Sequence, residues 1–175
     1  MDKRIVRTRS AIRRYVLSQL KEKDISDFSV SEICEACDLS RSTFYLHYKS
    51  VEDVVHEISD GVIDTIVAVV ETVLPSEALS KVGAYLRKNA DEIGVLLQVD
   101  EGYLIHQLSA KIEPIVQQME TVKNDSLSDY LASFITYGSI GLFRHWLNGD
   151  RKMTVPQFMD KLTECVNALK RHAAD

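Results

Sequence analysis

SVSEICEACDLSRSTFYLHYK, residues 29–49, decides how the rest of the chain is read. Ser29 is followed three positions later by Glu32, the S-x-x-E spacing in which a hydroxyl and a carboxylate can satisfy the free amides of a helix start. The helix this opens is short, about Val30 to Cys37. Asp38-Leu39-Ser40 then makes a three-residue turn, with Ser40 placed to cap a third helix from Arg41 to about Tyr48. Upstream, Ile12, Tyr15, Val16 and Leu20 recur at helical spacing with Arg9, Arg13 and Arg14 between them, which predicts a first helix with a basic face. Ser26-Asp27-Phe28 ends it. Two short helices joined by a tight turn inside a basic three-helix unit form a helix-turn-helix pattern, and that pattern points to a DNA-binding module.

Downstream, Lys49-Ser50 interrupts again, and Ser50 can cap a fourth helix from Val51 to about Val73 whose first turn carries Glu52 and Asp53, acids that suit the positive end of a helix dipole. Its second half, VIDTIVAVVETVL at 62–74, is apolar on most faces and is expected to be buried as the link between two domains. Pro75-Ser76 is expected to end it. Further helices are predicted at about Glu77 to Asn89, Ala90 to Gln98, Glu101 to Lys123, Ser126 to Asn148 and Pro156 to Ala173. Thr154 with Gln157 gives the last one a capping box, and Pro156 falls in its first turn, where a missing amide proton costs nothing. No segment alternates like a strand, so the expected fold is all-α. The helix-turn-helix domain occupies residues 1–50 and a second helical domain residues 51–175.

Charge separates the same two regions. Residues 1–50 hold ten Lys/Arg against seven Asp/Glu, a net +3, while residues 51–175 hold eleven against nineteen, a net −8. A basic head on an acidic body steers one end toward phosphates. With 45% hydrophobic residues the 175-residue chain can bury a real core, yet no run is long and apolar enough for a membrane span, and the basic start has no apolar export segment behind it. A cytoplasmic location is therefore expected, without membrane contact. Three prolines and seven glycines suit long helices with short connections.

The odd set of Cys34, Cys37 and Cys165 does not make a disulfide framework. Cys34 and Cys37 share one face of a short helix, and two small buried side chains explain the pair; a thiol-responsive regulator is the alternative. A zinc site would need further ligands that the spacing does not supply. His47, His56, His106, His145 and His172 form no catalytic spacing, and no nucleophile-elbow, zinc-protease or nucleotide-loop motif occurs, so neither an enzyme nor a cofactor is expected.

Residues 29–49, centred on RSTFYLHYK at 41–49, resemble the helix-turn-helix of the TetR/AcrR family of transcriptional regulators. The resemblance runs back through Thr8 to Leu20 and on to about Val55. FITYGSIGLFRHWL, 134–147, is similar to the penultimate helix of the branch that includes the dihydroxyacetone-kinase regulators. The resemblance implies a homodimeric repressor on a pseudo-palindromic operator in double-stranded DNA. It also implies that residues 51–175 sense a small-molecule effector and dimerise, and that a pendulum-like motion of the Val51 to Val73 helix releases the operator. Two positions depart from the family pattern: Asp38 stands where many members have Gly, and Val51 where they usually have a phosphate-contacting Lys. Asp tolerates left-handed geometry, and Lys49 can supply the charge. The Val51 departure leaves open a helical protein-interaction module that has lost operator binding.

In a helix-turn-helix the third helix lies in the major groove, and Arg41 at its start is the best base reader because a guanidinium can bond guanine O6 and N7 together. Ser42 and Leu46 are secondary base contacts. By resemblance Thr43, Tyr45, His47 and Lys49 hold phosphates, while Phe44 and Tyr48 face inward onto Ile33 and Ile12. Gly138 and Gly141 each weaken a helix by about 1 kcal/mol relative to Ala, and close approach of another helix is the compensation expected. With Leu142 and Trp146 they mark the dimer interface, since the last two helices of each family protomer join a four-helix bundle; packing within one chain is the alternative. Tyr85, Tyr103, His106, Phe134 and Tyr137 are the candidates for lining an effector cavity.

Overall fold

A computed structural model describes residues 3–72, 75–118, 128–149 and 153–172. Their elements are α1 (Lys3–Gln19), a 3-10 turn (Ile25–Asp27), α2 (Val30–Ala36), α3 (Arg41–Tyr45), α4 (Val51–Thr72), α5 (Pro75–Lys88), α6 (Ala90–Gln118), α7 (Ser128–Asn148) and α8 (Val155–His172). Among the described residues there is no strand, so the chain is all-helical as expected. The helix ends expected at Val73, Lys123, Ser126 and Ala173 lie outside the described residues.

Three boundaries differ from expectation. Pro75 opens α5 instead of closing α4, because proline suits the first position of a helix as well as it suits a break. The third helix is shorter than expected: beyond Tyr45 the amides of His47 and Tyr48 converge on the carbonyl of Phe44 at 2.9 and 3.0 Å, which tightens the last turn. The gap expected between Gln98 and Glu101 is a break inside α6, where Asp100 leaves helical geometry (φ −150°, ψ 74°). Its carboxylate accepts from the Tyr103 amide at 2.9 Å and so restarts the helix as an N-cap.

The chain forms two compact units. One takes in the chain up to Val62 together with Asp91–Leu104; the other takes in Ile63–Ala90 and the chain from Ile105 onward. In the first, α1 packs on α2 and α2 on α3, and Ile12, Val16, Ile33, Phe44, Val54 and Val55 are enclosed almost completely. Each such side chain contributes roughly 1.5–3 kcal/mol of burial. Glu57 of α4 reaches two arginines of α1, Arg9 at 2.8 Å and Arg13 at 3.0 Å. His56, one residue earlier, stacks on Tyr103 with ring centroids 3.8 Å apart and meets Asp100 at 3.2 Å, while the Tyr103 hydroxyl donates to Asp60 at 3.0 Å.

In the second unit α8 packs against α5 and α7. At Gly83 an added Cβ would lie 2.5 Å from Met159 Cγ, so this glycine is what lets α5 approach α8 so closely. Trp146 stacks on Phe158 at 5.3 Å and its indole N–H donates to the Met153 carbonyl at 2.8 Å, which fixes the α7–α8 connection. The capping box of α8 is present in both directions: Gln157 Oε1 accepts from the Thr154 amide at 2.9 Å, and Thr154 Oγ1 from the Gln157 amide at 3.5 Å. The second half of α4 is less enclosed than its composition predicts. Val62, Ile63 and Ile66 are buried, but Val67, Val69 and Val70 are half-buried and Ala68 is exposed, because packing covers one side of the helix only.

Candidate nucleic-acid interface

The turn that presents α3 is held by three side-chain caps. Ser29 Oγ accepts from the Glu32 amide at 3.2 Å and starts α2. The Glu32 carboxylate takes the Lys23 ammonium and the Tyr15 hydroxyl, both at 2.7 Å, so the S-x-x-E pair caps with one arm and ties α2 to α1 with the other. Lys23 and then Tyr15 hold the Glu32 carboxyl below its ordinary range, and in return the Tyr15 phenol is pushed up to about 12. Ser40 Oγ accepts from the Thr43 amide at 3.1 Å and starts α3. Ser50 Oγ meets the Asp53 amide at 3.4 Å, and Asp53 reaches back to the Lys49 amide at 2.8 Å.

Between α2 and α3 the chain reverses through Asp38, whose φ of 53° is left-handed. The Leu39 amide bonds the Cys34 carbonyl at 2.8 Å and the Asp38 amide bonds the Glu35 carbonyl at 3.3 Å. This pair of bonds is the Schellman closure that usually places glycine at the left-handed position. Asp38 therefore keeps the turn at a modest cost in backbone strain.

The tightened α3 sorts its side chains into two sets. Phe44 and Tyr48 are buried, their rings 5.7 Å apart, with the Arg9 guanidinium 5.6 Å from the Tyr48 ring. Burial first, and then the Glu57 carboxylate, push the Tyr48 phenol up to about 12. On the other side Leu46 is 80% exposed and Tyr45 57%. Arg41, Ser42 and Lys49 are exposed as well, and Thr43 and His47 half-buried. Arg41 Nη2 donates to Ser31 Oγ of α2, which holds the guanidinium at the α2–α3 junction. The basic face of α1 is partly used inside the fold, since Arg9 and Arg13 pair with Glu57 while Lys3, Arg7 and Arg14 stay exposed.

Residues 17–58 match the model of bacterial regulatory proteins of the tetR family, and residues 75–168 match that of a transcriptional regulator C-terminal region of the same family. The chain belongs to the TetR family. As a family member it is a DNA-binding transcriptional regulator. A 54-residue stretch is 39% identical to YxbF of Bacillus subtilis (strain 168), an uncharacterised HTH-type transcriptional regulator; it covers 30% of this chain but 14% of YxbF. A TetR transcriptional regulator from Streptococcus agalactiae superposes with a TM-score of 0.74 at 27% identity, over 94% of this chain and 96% of that one. A TetR-family protein from Mesorhizobium loti shares the fold, with a TM-score of 0.63 at 16% identity over 96% and 97% of the two chains.

In this TetR-family protein Val51, the position where the resemblance implied a departure from a phosphate-contacting Lys, is buried at the start of α4, and the exposed Lys49 is the neighbouring cation. The remaining candidates are scattered. Tyr103 joins His56, Asp60 and Asp100 in the first unit. In the second unit Tyr85 is half-buried and His106 exposed, and Phe134 and Tyr137 are exposed on the outer face of α7. Gly138 and Gly141 lie on that face with Leu142, and an added Cβ at either glycine meets nothing within 4 Å. Trp146 points the other way, into the protomer.

Cys34 is buried and Cys37 half-buried. Burial, and then Cys34, push the Cys37 thiol up, away from the reactive thiolate that a redox sensor needs. Cys165 is exposed on α8. Among the described residues no cluster of three metal-ligating side chains occurs, and no helix is long and apolar enough to cross a membrane. Sequence reasoning passed over Glu57, Asp100 and Gly83. An acid two helical turns beyond a cap carries no signature of its own, and its two arginines lie 44 and 48 positions away.

Proposed function

We propose that the protein is a homodimeric repressor that grips a pseudo-palindromic operator with the exposed edge of α3 and releases it when a small molecule biases residues 51–175. The observation that carries this reading is the two-sided α3: Phe44 and Tyr48 anchor it in the core while Arg41, Ser42, Tyr45, Leu46 and Lys49 stand outward. Arg41, Ser42 and Leu46 read base edges, and Thr43, Tyr45, His47 and Lys49 hold phosphates. Residues 1–50 bind DNA and residues 51–175 sense and dimerise. The dimer forms through the outer face of α7, where Phe134, Leu142 and two open glycines leave room for a partner helix. Phe134 and Tyr137 belong to this interface rather than to the effector cavity, and Trp146 supports it from behind by holding α7 on α8. Motion of α4 changes the separation of the two recognition helices. The likeness of 134–147 to the dihydroxyacetone-kinase regulators supports a reading in which the protein stands near that branch and works in the cytoplasm.

Selection of binding sites from random double-stranded DNA tests the reading. Two inverted half-sites about one helical turn apart, roughly 10 base pairs, should be enriched. Recovery of single half-sites, or of no sequence, would refute it.

A further inference from the structure

Two hydroxyls in the second unit are enclosed without a partner. Ser109 of α6 is 0% exposed and Thr136 of α7 is 3% exposed, and neither hydroxyl oxygen meets a hydrogen-bond partner among the described residues. Neighbouring contacts bring their two helices together. The Ser133 hydroxyl of α7 donates to the Glu113 carboxylate of α6, and Ile135 packs on Ile112. Ser109 lies one helical turn before Glu113 on α6, and Thr136 about one turn beyond Ser133 on α7, so both hydroxyls belong to the same stretch of this helix pair.

Buried hydroxyls almost always find a partner, and leaving one unpaired costs stability. Two of them on one stretch of a helix pair are explained if a third oxygen belongs between the helices. The surroundings limit what can carry that oxygen. Ile112, Ile135, Val166 and Leu169 supply an aliphatic wall. No fully buried charge occurs among the described residues, and the acid one turn away, Glu113, is half-buried and already engaged by Ser133. A carboxylate would be stranded there beside the Glu113 carboxylate, and an ammonium would give up water for one half-buried acid already engaged by Ser133, whereas a neutral dipole has neither cost. Two hydroxyls can donate to both lone pairs of a carbonyl, or one can donate and the other accept from an alcohol.

We propose that Ser109 and Thr136 form the polar end of a ligand site between α6 and α7, and that the site takes an uncharged, mainly hydrocarbon molecule whose carbonyl or hydroxyl oxygen sits between them. The proposal rests on the effector reading above and names the ligand class for it. The test is a thermal-shift titration of the full chain with small ketones and alcohols, each beside the carboxylate and amine of the same carbon skeleton; cyclohexanone, cyclohexanol, cyclohexanecarboxylate and cyclohexylamine form the core set. Neutral compounds should raise the melting temperature saturably and charged ones should not. In Ser109→Ala, Thr136→Val and the double variant that response should fall at least tenfold in apparent affinity. The ligand-free variants should melt at the same temperature as the parent or about 2–4 °C higher, since each loses an unpaired hydroxyl. The site is refuted if no neutral compound acts, if charged ones act as well, if the double variant still responds, or if both single variants melt lower because the hydroxyls are paired within the protein. Adding the strongest ketone to the operator complex separates the two levels. Binding without operator release leaves the site standing and removes the effector reading.

Discussion

The outer edge of α3 and the outer face of α7 both expose large apolar side chains, yet they are built for different partners. On α3, Tyr45 and Leu46 are set among Arg41, Lys49 and a row of hydroxyls, on a helix of five residues. Its exposed surface is donor-rich and cationic, which suits phosphates and base edges. On α7, Tyr130, Phe134, Tyr137 and Leu142 surround two glycines along a helix of 21 residues. That surface is long, apolar and indented, which suits another helix. Exposure alone does not identify a partner; the polar groups around it and the room beside it do.

The comparison is most easily broken at the glycines. Each added Cβ meets nothing inside the protomer, so Gly138→Leu with Gly141→Leu should fold with its helical content kept. Any damage must then come from a second chain. Sedimentation should show monomer in place of dimer, and operator affinity should drop by about a thousandfold or more, toward the non-specific level, because one monomer reads half a site. A variant that stays dimeric and binds normally would move the interface off this face.

On the α3 side the matching change is Arg41→Ala. The loss should be about 1–3 kcal/mol on the selected operator, roughly five- to 150-fold, with relaxed preference at one base position. Equal loss on random DNA would make Arg41 a phosphate contact. Lys49→Ala should behave in that second way, weakening all sequences and lowering the salt slope by about one.

These two regions were not equally legible in the sequence. The helix-turn-helix could be read because each step has a local cause: Ser29, Ser40 and Ser50 cap within three residues, and the period of Phe44 and Tyr48 fixes which side is core. The face of α7 could be read only in part. Phe134, Tyr137 and Trp146 are all aromatic at helical spacing, and nothing local says that the first two turn outward while the third bonds the Met153 carbonyl. The close-approach glycine inside the protomer is Gly83, whose partner Met159 is 76 positions away. Long-range pairings of this kind leave no pattern at either end.

Within the first unit, the α1–α4 clamp offers a smaller test. Burial pushes the Glu57 carboxyl up, but the hydrogen bond from Arg9 and the charges of Arg9 and Arg13 outweigh it and hold the group below its ordinary value. A depressed carboxyl contributes stability above its unfolded value, about pH 4.3, and loses it as pH falls through the lower folded one. Both arginines are more than a third exposed, so solvent limits the clamp to about 1 kcal/mol. Glu57→Gln should therefore lower the urea midpoint at neutral pH, and the gap from the parent should close below about pH 4. A gap that persists in acid would mean that shape, not charge, holds α1 to α4.

The smallest effect is expected at Asp38, where the α3 side of the comparison depends on a single left-handed residue. With φ at 53°, any side chain meets backbone crowding that glycine avoids, and for a typical residue the difference is about 1 kcal/mol. Aspartate bears less of it than most, and glycine gives back part of the gain through its freer unfolded chain. The carboxylate also sits at the negative end of the α2 dipole, which adds a few tenths of a kcal/mol against it. Asp38→Gly should thus raise stability by about 0.5 kcal/mol, Asp38→Asn should lie within a few tenths of the parent, and Asp38→Ala should lose about 0.5–1 kcal/mol. Urea midpoints at constant slope would give the order Gly, Asn, Asp, Ala. If Ala proved as stable as Gly, backbone strain would not govern this turn, and the Leu39-to-Cys34 closure would have to be sustained by packing around Leu39 instead.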